Sequence, residues 1–187
     1  MGAGKSTALG LLGELGAAVL STDAVVHELY EQEELRDAVT ARWGPEVAPA
    51  GSVDRAEIAQ RAFGSEEERR WLEGTLWPLV GARMAAWLAD VRGTQAGARP
   101  RAAVVEVPLL FESGMDDLYD ATIAVVSAED IRRSRAGARG HARADERAGR
   151  QLPQEEKARR ATFVVRNDGT REELRRDLSA VLDKLAA

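Results

Sequence analysis

The apolar positions of this chain alternate between two periods, and so predict alternating strands and helices. Leu9, Leu11, Leu12 and Leu15 recur at helical spacing and Gly16 stands where a C-terminal cap belongs, so a short helix is predicted after Lys5. Residues 17–20 then form a brief apolar run ending in Ser21-Thr22-Asp23, which reads as a buried strand with polar groups at its C-terminal end. Similar runs occupy 102–107, 121–126 and 163–165, each bounded by polar or turn residues and separated by helical patterns. That alternation predicts a parallel sheet in a three-layer α/β domain. Between Val25 and Asp90 the pattern is mostly helical, with a helix start at Asp54-Arg55 and a helical stretch around Trp71, Leu72, Leu76, Leu79 and Val80. This region is expected to pack over the strand ends. Residues 93–101, with Gly93, Gly97 and Pro100, read as a surface connection.

Composition narrows the picture. With 187 residues, 44% of them apolar, the chain is long enough for one sizeable core and is expected to form one domain. It has no cysteine, which excludes a disulfide framework and a thiolate metal site. Lys5 and Glu14 interrupt the apolar N-terminal stretch, and no span approaches the roughly 18 to 20 apolar residues of a membrane helix. A cytoplasmic location without a membrane partner is expected. A formal charge of -5 argues against general nucleic-acid binding.

The candidate chemistry begins at the start of the chain. In a phosphate loop, G-x-x-x-x-G-K-[ST], backbone N–H groups wrap the phosphates, the lysine reaches the β and γ groups and the hydroxyl binds magnesium. Gly2, Ala3, Gly4, Lys5, Ser6 and Thr7 supply its second half. The first glycine would lie before Met1, so a plain glycine-rich helix start is the alternative. The coding sequence upstream of Met1 is expected to encode an apolar strand and a glycine pair.

Further strings bear on the choice: Thr22-Asp23, Val53-Asp54-Arg55, Leu72 to Leu76 with Trp77-Pro78, Val107-Pro108-Leu109-Leu110-Phe111-Glu112, Arg147-Ala148-Gly149-Arg150-Gln151 and Asn167-Asp168-Gly169-Thr170. In this order and at these spacings the chain resembles the dephospho-coenzyme A kinase family nearly end to end. The resemblance implies a P-loop NTPase fold of the nucleoside monophosphate kinase type, with a five-stranded parallel sheet, a helical substrate region at about 25–90 and an arginine-rich lid at about 130–152. It also implies ATP and Mg2+ as cofactors and dephospho-coenzyme A as the small-molecule partner, phosphorylated on its ribose 3′-hydroxyl. Another P-loop kinase, for a nucleotide or small alcohol, and a truncated non-catalytic nucleotide-binding protein are the alternatives. Trp77, Ser21, Thr162 and Arg132 depart from the family pattern, at positions where it has histidine, aspartate, aspartate and glutamine.

Roles follow for single residues, each beside a plainer one. Asp23, at a strand end, is the candidate to orient and deprotonate the acceptor hydroxyl, or a helix N-cap. Glu106 ends an apolar strand as a Walker B acid does and joins Ser6 as a candidate metal ligand, or forms a cap or salt bridge. Pro108, Leu109, Leu110 and Glu112 resemble the family's substrate-side loop, or are core, and the resemblance adds Arg55 and Pro78 on the acceptor side. Arg132, Arg135, Arg139, Arg143, Arg147 and Arg150 recur every three or four residues, so one helical face would carry all six guanidinium groups. Arg135 and Arg139 are candidates to stabilise transition-state charge with Lys5, and Arg147 to hold ATP. A solvated, salt-bridged helix is the plainer reading. By resemblance Asn167 and Gly169 lie beside adenine; a simple turn is the alternative. His27 and His141 read as surface or capping groups, and the tryptophans as packing residues.

Overall fold

The computed structural model describes residues 2–137 and 151–185. Their contacts divide the chain into two compact units, Met1–Val19 with Arg99–Ala187, and Leu20–Ala98.

In the first unit, helix α1 (Lys5–Glu14) starts at Gly4, whose φ of 91° is left-handed backbone. It buries Ala8, Leu11 and Leu12, so Ala8 takes the inward position that spacing gives to Leu9. The helix ends as expected: Gly16 has φ 91° and its N–H donates to Gly13 O at 3.0 Å, while Ala17 N donates to Leu12 O at 3.0 Å. The four predicted runs are strands, β1 (Ala18–Ser21), β2 (Ala103–Glu106), β3 (Ile123–Val126) and β4 (Phe163–Arg166). β3 and β4 pair in parallel with Ile123 opposite Phe163 and Val126 opposite Arg166. Thr122 and Thr162 extend that pairing below the strands, each main-chain N–H donating to the other's Oγ1 at 3.1 Å. Thr162, a departure from the family pattern, thus has a structural task here. Among the described residues of this unit follow the helices α6 (Glu129–Gly137), α7 (Gln154–Arg160) and α8 (Arg171–Leu185). Helix α8 buries Leu174, Leu178, Val181 and Leu182 against Leu11, Leu12 and Val165, with Val104, Ile123 and Val125 at the edge of the cluster. That apolar seam between α1, α8 and the strands is the core of the unit.

The strand pattern departs from the expected five-stranded sheet. Four strands are described, and they form two pairs, β1 with β2 and β3 with β4. The first ladder opens at Ala18, whose N–H donates to Ala102 O at 2.9 Å. β2 and β3 share no ladder among the described residues.

The second unit is helical, as predicted: α2 (Thr22–Leu29), α3 (Glu33–Trp43), α4 (Arg55–Gly64) and α5 (Glu66–Gly93). Val25, Leu29, Leu35, Val39, Trp43, Ile58, Ala62 and Val80 make its core. Asp54 caps α4, its Oδ1 accepting from Ala56 N at 2.8 Å and Glu57 N at 3.2 Å. Trp43 packs edge-on against Trp71 at 4.9 Å between ring centroids, and its Nε1 donates to Glu68 at 2.6 Å. Trp77 is the exception to the packing expectation, with 46% of its surface exposed. Among the described residues no helix is long and apolar enough to cross a membrane.

Candidate nucleotide-binding site

The N-terminus of α1 is built to receive an anion. The first four N–H groups of a helix lack intrahelical acceptors, and no side chain caps this one. Gly4 supplies the left-handed turn and its carbonyl takes the first helical hydrogen bond, from Ala8 N at 2.9 Å. Lys5, Ser6 and Thr7 are exposed around the open end, and the Lys5 ammonium has no partner among the described residues. Free N–H groups, the positive end of the helix dipole and a cation together favour phosphate oxygens.

Two neighbours shape this loop. A Cβ on Gly2, at φ 81°, would lie 2.5 Å from the Arg132 carbonyl oxygen, so α6 passes directly over the glycine. A Cβ on Gly4 would lie 2.1 Å from Asn167 Nδ2. That nitrogen donates to the Ala3 carbonyl at 2.8 Å. The Asn167 main-chain carbonyl accepts from Arg135 Nη1 at 2.8 Å and from Ser127 Oγ at 3.1 Å. The structure therefore brings Gly2, Ala3, Gly4, Arg135 and Asn167 into one cluster. Arg132 sits beside it, paired to Glu129 at 3.2 Å. Arg139, Arg143, Arg147, Arg150 and His141 lie outside the described residues.

The loop after β4 is more than a simple turn. Asp168 Oδ1 accepts from Ala128 N at 2.6 Å, and that N–H is the main reason its carboxyl is held below the usual carboxylate range. Gly169 leaves room for Glu173, whose Oε2 would lie 2.1 Å from a Cβ there. Glu173 and Thr170 form a reciprocal cap on α8, Thr170 N donating to Glu173 Oε2 at 2.7 Å and Glu173 N to Thr170 Oγ1 at 3.2 Å.

Glu106 ends β2, half-buried. The following segment folds into a compact turn, with Ser113 N donating to Leu109 O at 3.0 Å and Met115 N to Leu110 O at 3.2 Å. Leu109 has φ 59°, a left-handed conformation uncommon for a residue with a Cβ. Pro108, Leu109 and Leu110 are half-buried and only Phe111 is core, at 7% exposure. The Arg160 guanidinium lies 5.2 Å from the Phe111 ring centroid, and its Nη1 donates to the Phe111 carbonyl at 2.8 Å. Glu112 faces inward: its Oε1 accepts from Leu152 N at 2.8 Å and pairs with Lys157 Nζ at 2.7 Å. Burial alone pushes its carboxyl up, but the Lys157 ammonium and the N–H donors outweigh that and hold it below the usual range.

In the helical unit Asp23 lies in the first turn of α2, exposed, and its carboxylate has no partner among the described residues. The capping role open to it belongs to Ser21, whose Oγ accepts from Ala24 N at 3.5 Å. Arg55 opens α4 and its Nη1 donates to His27 Nε2. His27 thus has a cationic neighbour that the 28-residue separation conceals in the sequence. An open depression of about 460 Å³ is lined by Pro49, Ser52, Val53, Asp54, Arg55 and Ala56. Pro78 lies inside α5, exposed, next to Trp77.

Sequence reasoning missed Ser127 and Gln154, which hold the post-strand loops together. Gln154 Oε1 accepts from Ser127 N at 3.2 Å, and its Nε2 donates to Ser127 O at 2.9 Å. No local motif marks such a side-chain mimic of a strand partner.

Among known proteins, the dephospho-CoA kinase family model matches residues 1–173. The dephospho-CoA kinase of Rhodopseudomonas palustris (strain HaA2) is 34% identical over 100% of this chain and 92% of its own length. That of Deinococcus radiodurans is 39% identical over 99% of this chain and 88% of its own. Among solved structures, TT1252 from Thermus thermophilus superposes with a TM-score of 0.81 at 33% identity, over 100% of this chain and 94% of that one. The dephospho-CoA kinase from Campylobacter jejuni, at 21% identity and a TM-score of 0.69, shares the fold. With an open helix start behind a glycine turn, strands in parallel and relatives matched along nearly their whole length, this chain belongs to the dephospho-CoA kinase family.

Proposed function

We propose that this chain transfers the γ-phosphoryl group of ATP to the ribose 3′-hydroxyl of dephospho-CoA, giving ADP and CoA, the last step of coenzyme A biosynthesis. One observation carries the reading: in a chain of this family, the uncapped start of α1 presents Lys5, Ser6 and Thr7 around a left-handed Gly4. Phosphoryl transfer rests on positioning and on stabilising charge at the phosphate oxygens. The N–H groups at the helix start hold the β-phosphate, and the Lys5 ammonium neutralises charge between the β and γ groups. Arg135, and Arg139 beyond the described residues, add cationic charge from the lid, while Arg147 holds the triphosphate. Asn167 and Gly169 border the nucleoside.

Asp23 accepts the proton of the attacking hydroxyl. Its exposed carboxylate has no competing cation among the described residues, which leaves its oxygens open to an incoming alcohol. Arg55 and Pro78, in the helical region at about 25–90, are assigned to the acceptor, and so are Pro108, Leu109 and Leu110 of the turn after β2. Glu112 acts there by fixing that turn, given its pairing with Lys157.

Ser6 and Glu106 supply a hydroxyl and a carboxylate oxygen, the hard donors that Mg2+ takes. These two suit a cation that draws its remaining ligands from phosphate and water. Bound there, it would neutralise charge on the β and γ oxygens. The reading places the protein in the cytoplasm.

The test offers purified protein ATP and a magnesium salt with dephospho-CoA, AMP or pantetheine, and follows ADP by coupled assay. ADP release that depends on dephospho-CoA supports the reading. Release only with another acceptor replaces the substrate, and ATP binding without release with any acceptor makes the chain a non-catalytic nucleotide binder.

A further inference from the structure

Asn167 is the first residue after β4 and only 7% exposed, yet it is polar. Its main-chain N–H donates to Val126 O at 2.8 Å, continuing the β3–β4 pairing by one step. Its main-chain carbonyl receives Ser127 Oγ at 3.1 Å and Arg135 Nη1 at 2.8 Å. Its carboxamide reaches across the chain, Nδ2 donating to the Ala3 carbonyl at 2.8 Å. Only the amide nitrogen suits that carbonyl, so the orientation of the group is settled by its partner. The same nitrogen would lie 2.1 Å from a Cβ on Gly4, so the missing side chain at Gly4 makes the space it occupies.

We propose that Asn167 is a positioning residue for the phosphate loop. Its carboxamide holds the Ala3 carbonyl, and with it the left-handed turn at Gly4 that aims the N–H groups of Lys5, Ser6 and Thr7 outward. Its own carbonyl docks the Arg135 guanidinium on the same cluster. One residue at a strand end thereby sets both the anion-binding helix start and a lid cation. The inference rests on the nucleotide reading above and changes the part Asn167 plays in it: the residue acts on the phosphates, through the loop, rather than by reading the base.

The test compares the wild type with Asn167→Ala and Asn167→Asp, in the full chain. Calorimetry gives the Kd of adenosine and of ADP for each. Positioning predicts that adenosine affinity is held while the gain contributed by the two phosphates falls roughly tenfold in N167A, the worth of one buried hydrogen bond. The loss should be larger in N167D, whose carboxylate meets the Ala3 carbonyl. Equal loss of adenosine and ADP affinity would assign Asn167 to base recognition and overturn the proposal, as would no loss of either.

A second readout needs no ligand. Amide exchange at Ala8, whose N–H is bonded to Gly4 O, should quicken in N167A of the nucleotide-free protein while Leu178 in α8 stays protected; unchanged exchange at Ala8 overturns the proposal. A wild type that binds neither ligand contradicts the nucleotide reading instead, and the exchange result then decides the clamp. If N167A does not fold, Asn167→Ser takes its place, since it keeps a polar side chain at the buried position but is too short to make the carboxamide bond to the Ala3 carbonyl. Its expected signature is the same selective loss of ADP affinity, and retention of that affinity overturns the proposal.

Discussion

At the scale of single residues, function concentrates where local rules are broken. Asp23 is an exposed carboxylate with no partner among the described residues at the start of α2, where Ser21 already supplies the cap. Asp23→Asn therefore removes the proposed base while leaving the Ser21 cap of the helix start in place. Turnover should fall roughly 100- to 10,000-fold, the range of general-base catalysis, with ATP affinity unchanged by calorimetry. Normal turnover would contradict the assignment. Leu109, held at φ 59°, breaks a different rule. If its backbone governs the position, Leu109→Gly should be nearly neutral in urea unfolding, whereas Leu109→Val should cost about 1–3 kcal/mol, because a branched side chain suits that region worst. Equal losses in the two variants would show that side-chain packing matters more. The glycine loop was legible in the sequence because its residues are adjacent. Its dependence on Asn167 was not, since 164 positions separate that residue from Ala3.

At the scale of elements, the helices and strands were legible wherever the period was clear. The apolar runs became β1 to β4 within a residue or two, and Asp54 capped α4 as its type suggests. Helix α8 is the best-anchored element, with Leu178 and Leu182 at 0% exposure and a reciprocal cap at Thr170 and Glu173. Leu178→Ala should cost about 2–5 kcal/mol in urea unfolding, a loss of transfer energy plus a cavity. A cost near zero would mean that α8 is not the keel of this core. The loop tethers carry a pH signature. The carboxyls of Glu112, Asp168 and Glu173 are all held below their usual range, the first by Lys157 and N–H donors against burial, the second chiefly by Ala128 N–H, the third chiefly by Thr170 N–H. A depressed folded-state pKa adds stability above the unfolded value of about 4 and loses it as pH falls through the folded value. Glu112→Gln removes one such group. Its stability deficit against wild type, measured by urea unfolding, should thus be full at pH 7 and shrink below about pH 4. A deficit independent of pH would count against the Lys157 pairing as its source.

At the scale of the whole molecule, the family was legible from a few short strings spread along the chain; among the described residues, Gly4-Lys5 and Asp54-Arg55 mark helix starts, and Glu106-Val107 and Asn167 mark strand ends. The exposure of Trp77 was not legible: read with the other tryptophans as a packing residue, it lies on α5 with 46% of its surface exposed. Through all of this runs one claim, that the chain phosphorylates the 3′-hydroxyl of dephospho-CoA. The most direct measurement is phosphorus-31 NMR of a reaction containing the protein, ATP, Mg2+ and dephospho-CoA. The account predicts a new ribose 3′-phosphomonoester signal growing in step with ADP. ADP accumulating without that signal, or a new phosphoester elsewhere on the acceptor, would contradict it.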